Sequence, residues 1–203
     1  MNIRSAEFVE GAASPRQFPP PSLPEVAFVG KSNVGKSSLI NALLQRKSLV
    51  KTSATPGKTR QINFFLVNGS FRFVDLPGYG YAKVPESVRR QWDRLMNAYL
   101  RQRTGLQGVV LIVDCRHAPS SLDVEMKAWL EGAGLPIVVA VNKIDKLKKA
   151  EQSRQVARLG ATFCPGVPPV AFSARTGAGR DALWARLDAW LRAPLRQPDG
   201  VAP

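Results

Sequence analysis

The sequence contains little cysteine, little histidine and no long hydrophobic run. Its 203 residues include 2 Cys and 1 His, too few for a metal cage or a disulfide framework, so Cys115 and Cys164 are predicted to be packed thiols. No uninterrupted apolar stretch is longer than that of residues 109–113, which is far shorter than the roughly 20 residues of a membrane-spanning helix. Charges interrupt the segment after Met1, so we expect no secretory signal, no membrane span and a cytoplasmic location.

Acidic residues are also scarce. The chain has 15 Asp and Glu against 29 Lys and Arg, a formal net charge of +14, which favours polyanionic partners, nucleic acid first and an anionic membrane surface second. Residues 44–72 carry six basic side chains and no acidic one, and residues 83–103 and 143–158 each carry six basic against two acidic. Since a charged run is often only a solvated face, each stretch alone leaves binding open.

The chain has the length of one domain with two flanking segments. Residues 1–24 contain five prolines and are predicted to form an extended N-terminal arm, residues 25–192 the domain, and residues 193–203 a mobile C-terminal tail. Six β-rich runs alternate with helical patterns, which predicts an α/β fold with a mostly parallel sheet and helices on both faces. The predicted strands are residues 26–29, 62–67, 71–75, 109–114, 137–141 and 170–172.

Two local signals refine this fold. Asn68-Gly69 lies between the second and third predicted strands and is typical of a type I′ turn, so these strands should form an antiparallel hairpin. Apolar stripes at helical spacing predict helices around residues 39–44, 88–99, 122–130 and 183–191, and their aromatic residues are assigned to the core.

The most specific motif follows the first predicted strand. It has the pattern G-x-x-x-x-G-K-S between a strand and a helix, which is a phosphate-binding loop. Lys36 is expected to reach the β- and γ-phosphates, and the Ser37 hydroxyl to bind Mg²⁺. The residues of this predicted nucleotide site are Gly30, Lys31, Ser32, Asn33, Val34, Gly35, Lys36, Ser37 and Ser38.

A second motif, Asp75-Leu76-Pro77-Gly78, ends the third predicted strand. Asp75 is expected to hold Mg²⁺ through water, and the Gly78 amide to meet the γ-phosphate. D-x-x-G is weak by itself, because an aspartate followed by Pro-Gly occurs in many unrelated turns.

The third and fourth motifs predict the base. In Asn142-Lys143-Ile144-Asp145 the Asp145 carboxylate can accept both N1–H and the exocyclic amine of guanine, whereas adenine offers no matching pair of donors. Asn142 can reach the other edge of the ring, and the Lys143 stem can lie against the base. Phe172-Ser173-Ala174 follows the last predicted strand, where backbone amides can support the guanine carbonyl. All four motifs follow strand ends, where open α/β sheets bind ligands, so GTP and GDP are the predicted ligands.

These segments resemble a known family. GKSNVGKSSLIN, TPGKTRQINFF, DLPGYGYAKV, NKID and FSA are similar to the EngB (YsxC) subfamily of the TrmE-Era-EngA-EngB bacterial GTPases over nearly the whole chain. The resemblance implies a three-layer P-loop NTPase fold of the Ras-like G-domain type. It also implies GTP hydrolysis to GDP and phosphate as a switch in large ribosomal subunit assembly, needed for normal cell division and septation. The implied partners are ribosomal particles, through rRNA or ribosomal proteins, and a monomer is expected.

The resemblance also locates a first switch at residues 47–61. Thr59 is expected to close over Mg²⁺ and the γ-phosphate, together with Gly57 and Lys58, and Thr55 is the alternative. A flexible basic loop would explain the same stretch, since Pro56-Gly57 fits an ordinary turn.

The sequence departs from the Ras-like pattern at a catalytic position. Tyr79 occupies the position after D-x-x-G where Ras-like enzymes use glutamine, so a slow intrinsic rate is expected. Asn33 stands where potassium-dependent relatives hold a monovalent cation, although an asparagine there could simply brace the loop. The candidate catalytic residues are Lys36, Thr59, Gly78 and Asn33.

Three functional hypotheses remain open. The first is a regulatory GTPase acting on ribosomal RNA or protein, in which the γ-phosphate would order the switches into a surface that binds RNA. The second is a metabolic phosphotransferase, which would need an acceptor pocket and a lid. The third is a nucleotide-dependent scaffold at the division site that requires no turnover.

Overall fold

The computed structural model describes residues 1–50, 61–80 and 86–196. Its strands are β1 (Ala6–Ala12), β2 (Glu25–Gly30), β3 (Ile62–Val67), β4 (Phe71–Asp75), β5 (Leu106–Asp114), β6 (Ile137–Asn142) and β7 (Val170–Ala171). Its α-helices are α1 (Lys36–Leu44), α2 (Glu86–Gln102), α3 (Ser121–Gly132), α4 (Lys149–Phe163) and α5 (Arg180–Arg192).

The strands form one sheet in the order β1-β3-β4-β2-β5-β6-β7. Strands β4, β2, β5, β6 and β7 run parallel, and β3 is antiparallel to both β4 and β1. At the β3–β4 turn, Asn68 and Gly69 have φ angles of 52° and 64°, as a type I′ turn requires. The predicted α/β fold and its antiparallel hairpin are therefore confirmed.

The described sheet has seven strands, so the predicted count of six was wrong. The additional strand is β1, which the sequence analysis placed in the extended arm. Most β1 side chains are exposed, and a register shift between Phe8 and Glu10 interrupts any alternation. The strand is held by backbone pairing to β3 and by an edge contact between the rings of Phe8 and Phe65, 5.7 Å apart. Hydrophobic periodicity cannot detect an edge strand of this kind.

Helices cover both faces of the sheet, and each face has its own core. One apolar cluster includes buried residues of α2, α3 and α4, among them Tyr99, Met126 and Phe163. The other includes buried residues of α1 and α5, among them Leu39 and Trp184.

A buried ionic cluster closes the end of the sheet opposite the nucleotide motifs. Glu25, at the start of β2, is fully buried and accepts a hydrogen bond of 3.0 Å from the Tyr99 hydroxyl. Arg103 and Arg72 donate to the same carboxylate. The C-terminal part of α2 is thereby attached to the sheet.

Cys115 is buried and Cys164 half-buried, and both are free, as predicted; burial raises the pKa of Cys115 to about 11.

Among the described residues, no helix has both the length and the apolar character needed to cross a membrane. The first part of the predicted C-terminal tail, residues 193–196, is described, and there the Arg196 N–H donates a hydrogen bond to the Thr104 carbonyl. Residues 197–203 lie outside the described chain.

Asn68 also anchors the N-terminal segment. Its Oδ1 accepts hydrogen bonds from the backbone N–H groups of Arg4 and Ser5 at 2.7 and 3.1 Å, and its Nδ2 donates to the Asn2 carbonyl at 2.9 Å. The turn residue therefore connects the hairpin to the chain that leads into β1.

Asn68→Ala is expected to lower the free energy of unfolding by about 1–2 kcal/mol. Alanine is disfavoured at positive φ, and the three hydrogen bonds are lost. Urea unfolding followed by tryptophan fluorescence measures the change. Ser70→Ala in the same turn is the matched control, expected to shift stability by less than about 0.5 kcal/mol. Equal stabilities of the two variants would contradict this role of Asn68.

Candidate functional site

The phosphate-binding loop connects β2 to α1 at the carboxyl edge of the sheet. Gly35 precedes α1 with φ 94°, and a Cβ atom there would lie 2.6 Å from Asn142 Nδ2. A side chain at this position is therefore excluded by both backbone conformation and space. Lys36 begins the helix, so its side chain and the free N–H groups of the first turn lie together, as anion binding requires.

Lys36 and Asp75 form an ion pair across the site. Both side chains are largely buried, with 11% and 4% of their surfaces exposed, and the contact joins the first motif to the second. No group of three or more His, Cys, Asp or Glu side chains that could hold a metal occurs in the described ranges. Mg²⁺ in phosphate sites needs few protein ligands, because phosphate oxygens and water complete its shell. One hydroxyl, Ser37, and one carboxylate, Asp75, fit that requirement.

The second motif lies against the phosphate-binding loop. The Leu76 N–H donates to the Phe28 carbonyl at 3.0 Å, extending the β2–β4 pairing. A Cβ atom on Gly78 would lie 3.3 Å from the Gly30 carbonyl oxygen and 3.5 Å from Ser32 Oγ. Gly78 therefore stands next to the loop that is expected to hold the phosphates.

The third and fourth motifs meet at Asp145. Its Oδ1 accepts a hydrogen bond of 2.7 Å from the Ser173 hydroxyl, while its Oδ2 is buried and has no partner within the described parts of the chain. A buried carboxylate oxygen without a donor is costly. The guanine edge offers the donors that this oxygen lacks, so the residues present fit a guanine base.

Asn142 connects three of the motifs. It is 1% exposed; its Nδ2 donates to the Val34 carbonyl at 3.0 Å, and its Oδ1 accepts from the Ala174 N–H at 3.4 Å. A side-chain amide has two N–H donors, so one remains for a base. Asn142 braces the loops in addition to its predicted contact with the ring.

Lys143 is held by Asp114, a residue that was not predicted to belong to the site. Its Nζ donates to the Asn33 carbonyl at 2.6 Å and to Asp114 Oδ2 at 2.8 Å. Burial acts to raise the pKa of Asp114, but hydrogen bonds from Arg116 and Lys143 outweigh it and hold the pKa well below its usual range. Asp114 is the last residue of β5, and this position at the carboxyl end of a predicted strand could have identified it as a site residue from the sequence.

The remaining predicted site residues fall into three groups. Some shape the loops from within the core or half-buried beneath the surface: Val34, Leu76, Pro77, Ile144, Phe172 and Ala174. The Phe172 ring is fully buried, so this residue contributes through its backbone, which accepts from the Ile144 N–H. Others are exposed beside the loop: Lys31, Asn33 and Ser38. Gly57, Lys58 and Thr59, with Thr55, lie outside the described residues.

Comparisons with known proteins decide the family. A family model described as 50S ribosome-binding GTPase matches residues 25–143. The probable GTP-binding protein EngB of Geobacter sulfurreducens is 51% identical over 192 residues, which cover 93% of this chain and 92% of that protein. The chain belongs to the EngB family of GTP-binding proteins. A second EngB, from Pelotomaculum thermopropionicum, is 50% identical over 193 residues, covering 94% of this chain and 98% of its own.

EngB membership makes the chain a GTPase that binds guanine nucleotides. A crystal structure of a probable EngB GTP-binding protein superposes with a TM-score of 0.68 at 29% identity, covering 83% of this chain and 98% of that one. Aquifex aeolicus Era bound to GDP and AlF₄⁻ gives a TM-score of 0.70 at 24% identity, over 89% of this chain and 62% of Era, which shows the shared fold. The predicted P-loop NTPase fold is confirmed.

Ser173→Ala is expected to weaken GDP binding by about 10-fold. The Ser173 hydroxyl orients Asp145, and a hydrogen bond to a charged group contributes about 1.5–3 kcal/mol. Titration with fluorescent GDP measures the affinity. Ser153→Ala, on the exposed face of α4, is the control and should bind as the unmodified protein does. Equal affinities would show that Asp145 is oriented without Ser173.

Proposed function

We propose that this GTPase acts as a nucleotide-dependent switch in assembly of the large ribosomal subunit, with the base recognised at Asp145. The observation that carries the nucleotide assignment is the buried, unpartnered Oδ2 of Asp145 beside an Oδ1 already held by Ser173. Guanine supplies N1–H and an exocyclic amine to that carboxylate, and adenine does not. Preference for GTP over ATP follows from the cost of leaving the oxygen unpaired.

The proposed roles at the phosphates follow from position. Lys36 would leave Asp75 and bind the β- and γ-phosphates; Ser37 and Asp75 would hold Mg²⁺, which neutralises phosphate charge when bound. Gly78 would meet the γ-phosphate through its N–H group. Thr59, with Gly57 and Lys58, would close over the same end of the nucleotide.

The monovalent-cation proposal concerns Asn33. This residue has φ 65°, a conformation that asparagine tolerates better than most residues, so backbone geometry alone can account for it. Its side chain is also exposed beside the phosphate-binding loop, where a K⁺ ion would neutralise developing charge. A higher hydrolysis rate in KCl than in NaCl at equal ionic strength supports the cation, and equal rates support the bracing role.

The proposed partner is a ribosomal particle in the cytoplasm, bound by the monomer. Two observations support it: the matching family model is described as ribosome-binding, and exposed cations follow the base-binding motif along the chain. Five basic side chains around α4 are exposed and make no ion pair with another described residue; they are Lys146, Lys148, Lys149, Arg154 and Arg158. RNA phosphates are the natural complement of such a surface. The proposal includes the role in normal cell division and septation that the family resemblance implies.

Cosedimentation with ribosomal particles tests the proposed switch. Binding is expected to be stronger with a non-hydrolysable GTP analogue than with GDP, and to weaken as salt rises. Equal binding in both nucleotide states would overturn the switch. Phosphate release measured without any small-molecule acceptor excludes the phosphotransferase alternative. A hydrolysis-deficient variant that binds GTP and still supports growth would favour the scaffold hypothesis.

A further inference from the structure

Tyr79 occupies the position where a Ras-like enzyme orients its attacking water, but its side chain points elsewhere. The residue is 7% exposed, and its hydroxyl donates a hydrogen bond of 2.7 Å to Asp123 Oδ1 on α3. Burial, reinforced by the Asp123 charge, raises the pKa of the phenol far above its usual value. The phenol is therefore a permanent donor to α3, and it is not a base for water.

The backbone of Tyr79 is attached to the phosphate-binding loop. Its carbonyl accepts hydrogen bonds from both the N–H and the hydroxyl of Ser32, each 3.0 Å long. Its N–H donates to the Gly30 carbonyl at 3.4 Å. A parallel β-bridge pairs Tyr79 with Lys31, so the chain after Gly78 continues the sheet along the loop.

The acceptor of the phenol is itself rigid. Asp123 is 8% exposed, and its Oδ2 accepts from the Ser120 N–H at 3.0 Å and from the Ser120 hydroxyl at 2.7 Å. The first of these bonds, together with a bond of 3.4 Å from the Asp123 N–H to Ser120 Oγ, forms the capping box that begins α3. Tyr79 is consequently bound on one side to the phosphate-binding loop and on the other to the first turn of a helix.

We propose that Tyr79 is a positioning residue for GTP hydrolysis. Its hydrogen bonds to Ser32 and to Asp123, together called the clamp, hold Gly78 where it meets the γ-phosphate. This inference rests on the proposed role of Gly78. Freeing one side of the clamp would let the Asp75–Gly78 turn move away from the γ-phosphate. GDP has no γ-phosphate, and its proposed contacts at Lys36 and Asp145 do not pass through Tyr79. The clamp should therefore influence hydrolysis and leave GDP affinity unchanged.

The structure provides a matched control for the phenol. Tyr99 is also buried and also donates to a carboxylate, Glu25, at 3.0 Å, but at the opposite end of the sheet. Tyr79→Phe and Tyr99→Phe each remove one buried hydroxyl from one carboxylate. Loss of stability is expected in both variants, whereas loss of hydrolysis is expected only in the first.

Single-turnover hydrolysis with enzyme in excess and titration with fluorescent GDP test the proposal. Tyr79→Phe is expected to lower the hydrolysis rate about 10-fold or more, with the GDP dissociation constant within about twofold of the unmodified protein. Tyr99→Phe should leave both quantities unchanged. Three outcomes overturn the proposal: an unchanged rate in Tyr79→Phe, equal rate losses in the two variants, or a parallel loss of GDP affinity in Tyr79→Phe.

A double-mutant cycle tests the Asp123 side of the clamp. If the phenol acts through Asp123, Tyr79→Phe should have little further effect on the rate in an Asp123→Ala background; additive losses would overturn the proposal. If Asp123→Ala does not fold, Asp123→Asn is measured by itself, because its amide oxygen can still accept from the phenol; most of the hydrolysis rate should be retained, and a loss as large as that of Tyr79→Phe would overturn the proposal.

Gly78→Ala separates this inference from the role of Gly78 on which it rests. An added Cβ would crowd the Gly30 carbonyl and displace the turn directly. If Gly78→Ala slows hydrolysis and Tyr79→Phe does not, the clamp is wrong and the role of Gly78 stands. If neither substitution slows hydrolysis, both are wrong.

Discussion

Asp145→Asn is expected to weaken GTP binding by about 100-fold or more while leaving the fold intact. The carboxylate presents two acceptors to N1–H and the exocyclic amine of guanine, and an amide replaces one acceptor with a donor. One N–H donor of guanine then faces the N–H donor of the introduced amide. Buried hydrogen bonds of this type discriminate between ligands by factors of 10⁴ or more. Stability without nucleotide should change little, because the replaced oxygen, Oδ2, has no partner among the described residues.

A changed base preference in Asp145→Asn would distinguish loss of guanine recognition from a general loss of folding. Xanthine carries a carbonyl in place of the exocyclic amine, so the donor of the introduced amide finds an acceptor. Calorimetry with GTP, xanthosine triphosphate and ATP should show that Asp145→Asn prefers the xanthine nucleotide. Asp181→Asn, on the exposed first turn of α5, is the matched control. If Asp145→Asn retained full GTP affinity, or if the unmodified protein bound ATP as well as GTP, Asp145 would not select the base.

Lys36→Ala is expected to reduce the affinity for GTP and GDP by about 1000-fold. The ammonium group makes charge-assisted hydrogen bonds to phosphate oxygens, each contributing about 1.5–3 kcal/mol. The helix N-terminus and the loop amides remain, so weak binding should persist. Lys149→Ala, which removes an exposed cation at the start of α4, should leave nucleotide affinity unchanged.

The same substitution should also destabilise the protein without nucleotide. Asp75 is 3% exposed and paired with Lys36, so removing the lysine leaves a buried carboxylate without its cation. Breaking a buried pair costs about 3–5 kcal/mol. Chemical unfolding measures this loss, and Lys36→Arg is expected to restore much of the stability but little of the binding, because the larger guanidinium does not fit the lysine's place among the phosphates. A Lys36→Ala protein with unchanged stability would contradict the importance of the Lys36–Asp75 pair.

Several features of the fold followed from local sequence because their causes are local. The hairpin follows from Asn68-Gly69, whose backbone conformation is set by two residues. The strands β2, β5 and β6 are recognisable as apolar runs because both of their faces are covered by helices. By contrast, β1 is exposed and pairs through its backbone, so its side chains carry no signal that predicts it.

The site shows the same division between local and distant causes. The phosphate-binding loop and the base-binding motif were recognisable because each needs particular residue types within a few positions of one another. The partners of those residues were not recognisable. Asn142 reaches Val34, Lys143 reaches Asp114, and Tyr79 reaches Asp123, each across a large separation along the chain.

The sequence by itself determined an α/β fold with a guanine nucleotide site, since Lys36 and Asp145 stand in motifs whose chemistry is contained in short loops. The EngB family followed from similarity over nearly the whole chain. Only the tertiary structure decided what holds those loops together. Strand order brings the carboxyl ends of β2, β5 and β6 side by side, and which donor meets which acceptor depends on that arrangement. The orientation of Tyr79 toward α3 belongs to this second class, because a phenol at that position has no preferred partner until the helix packs beside it.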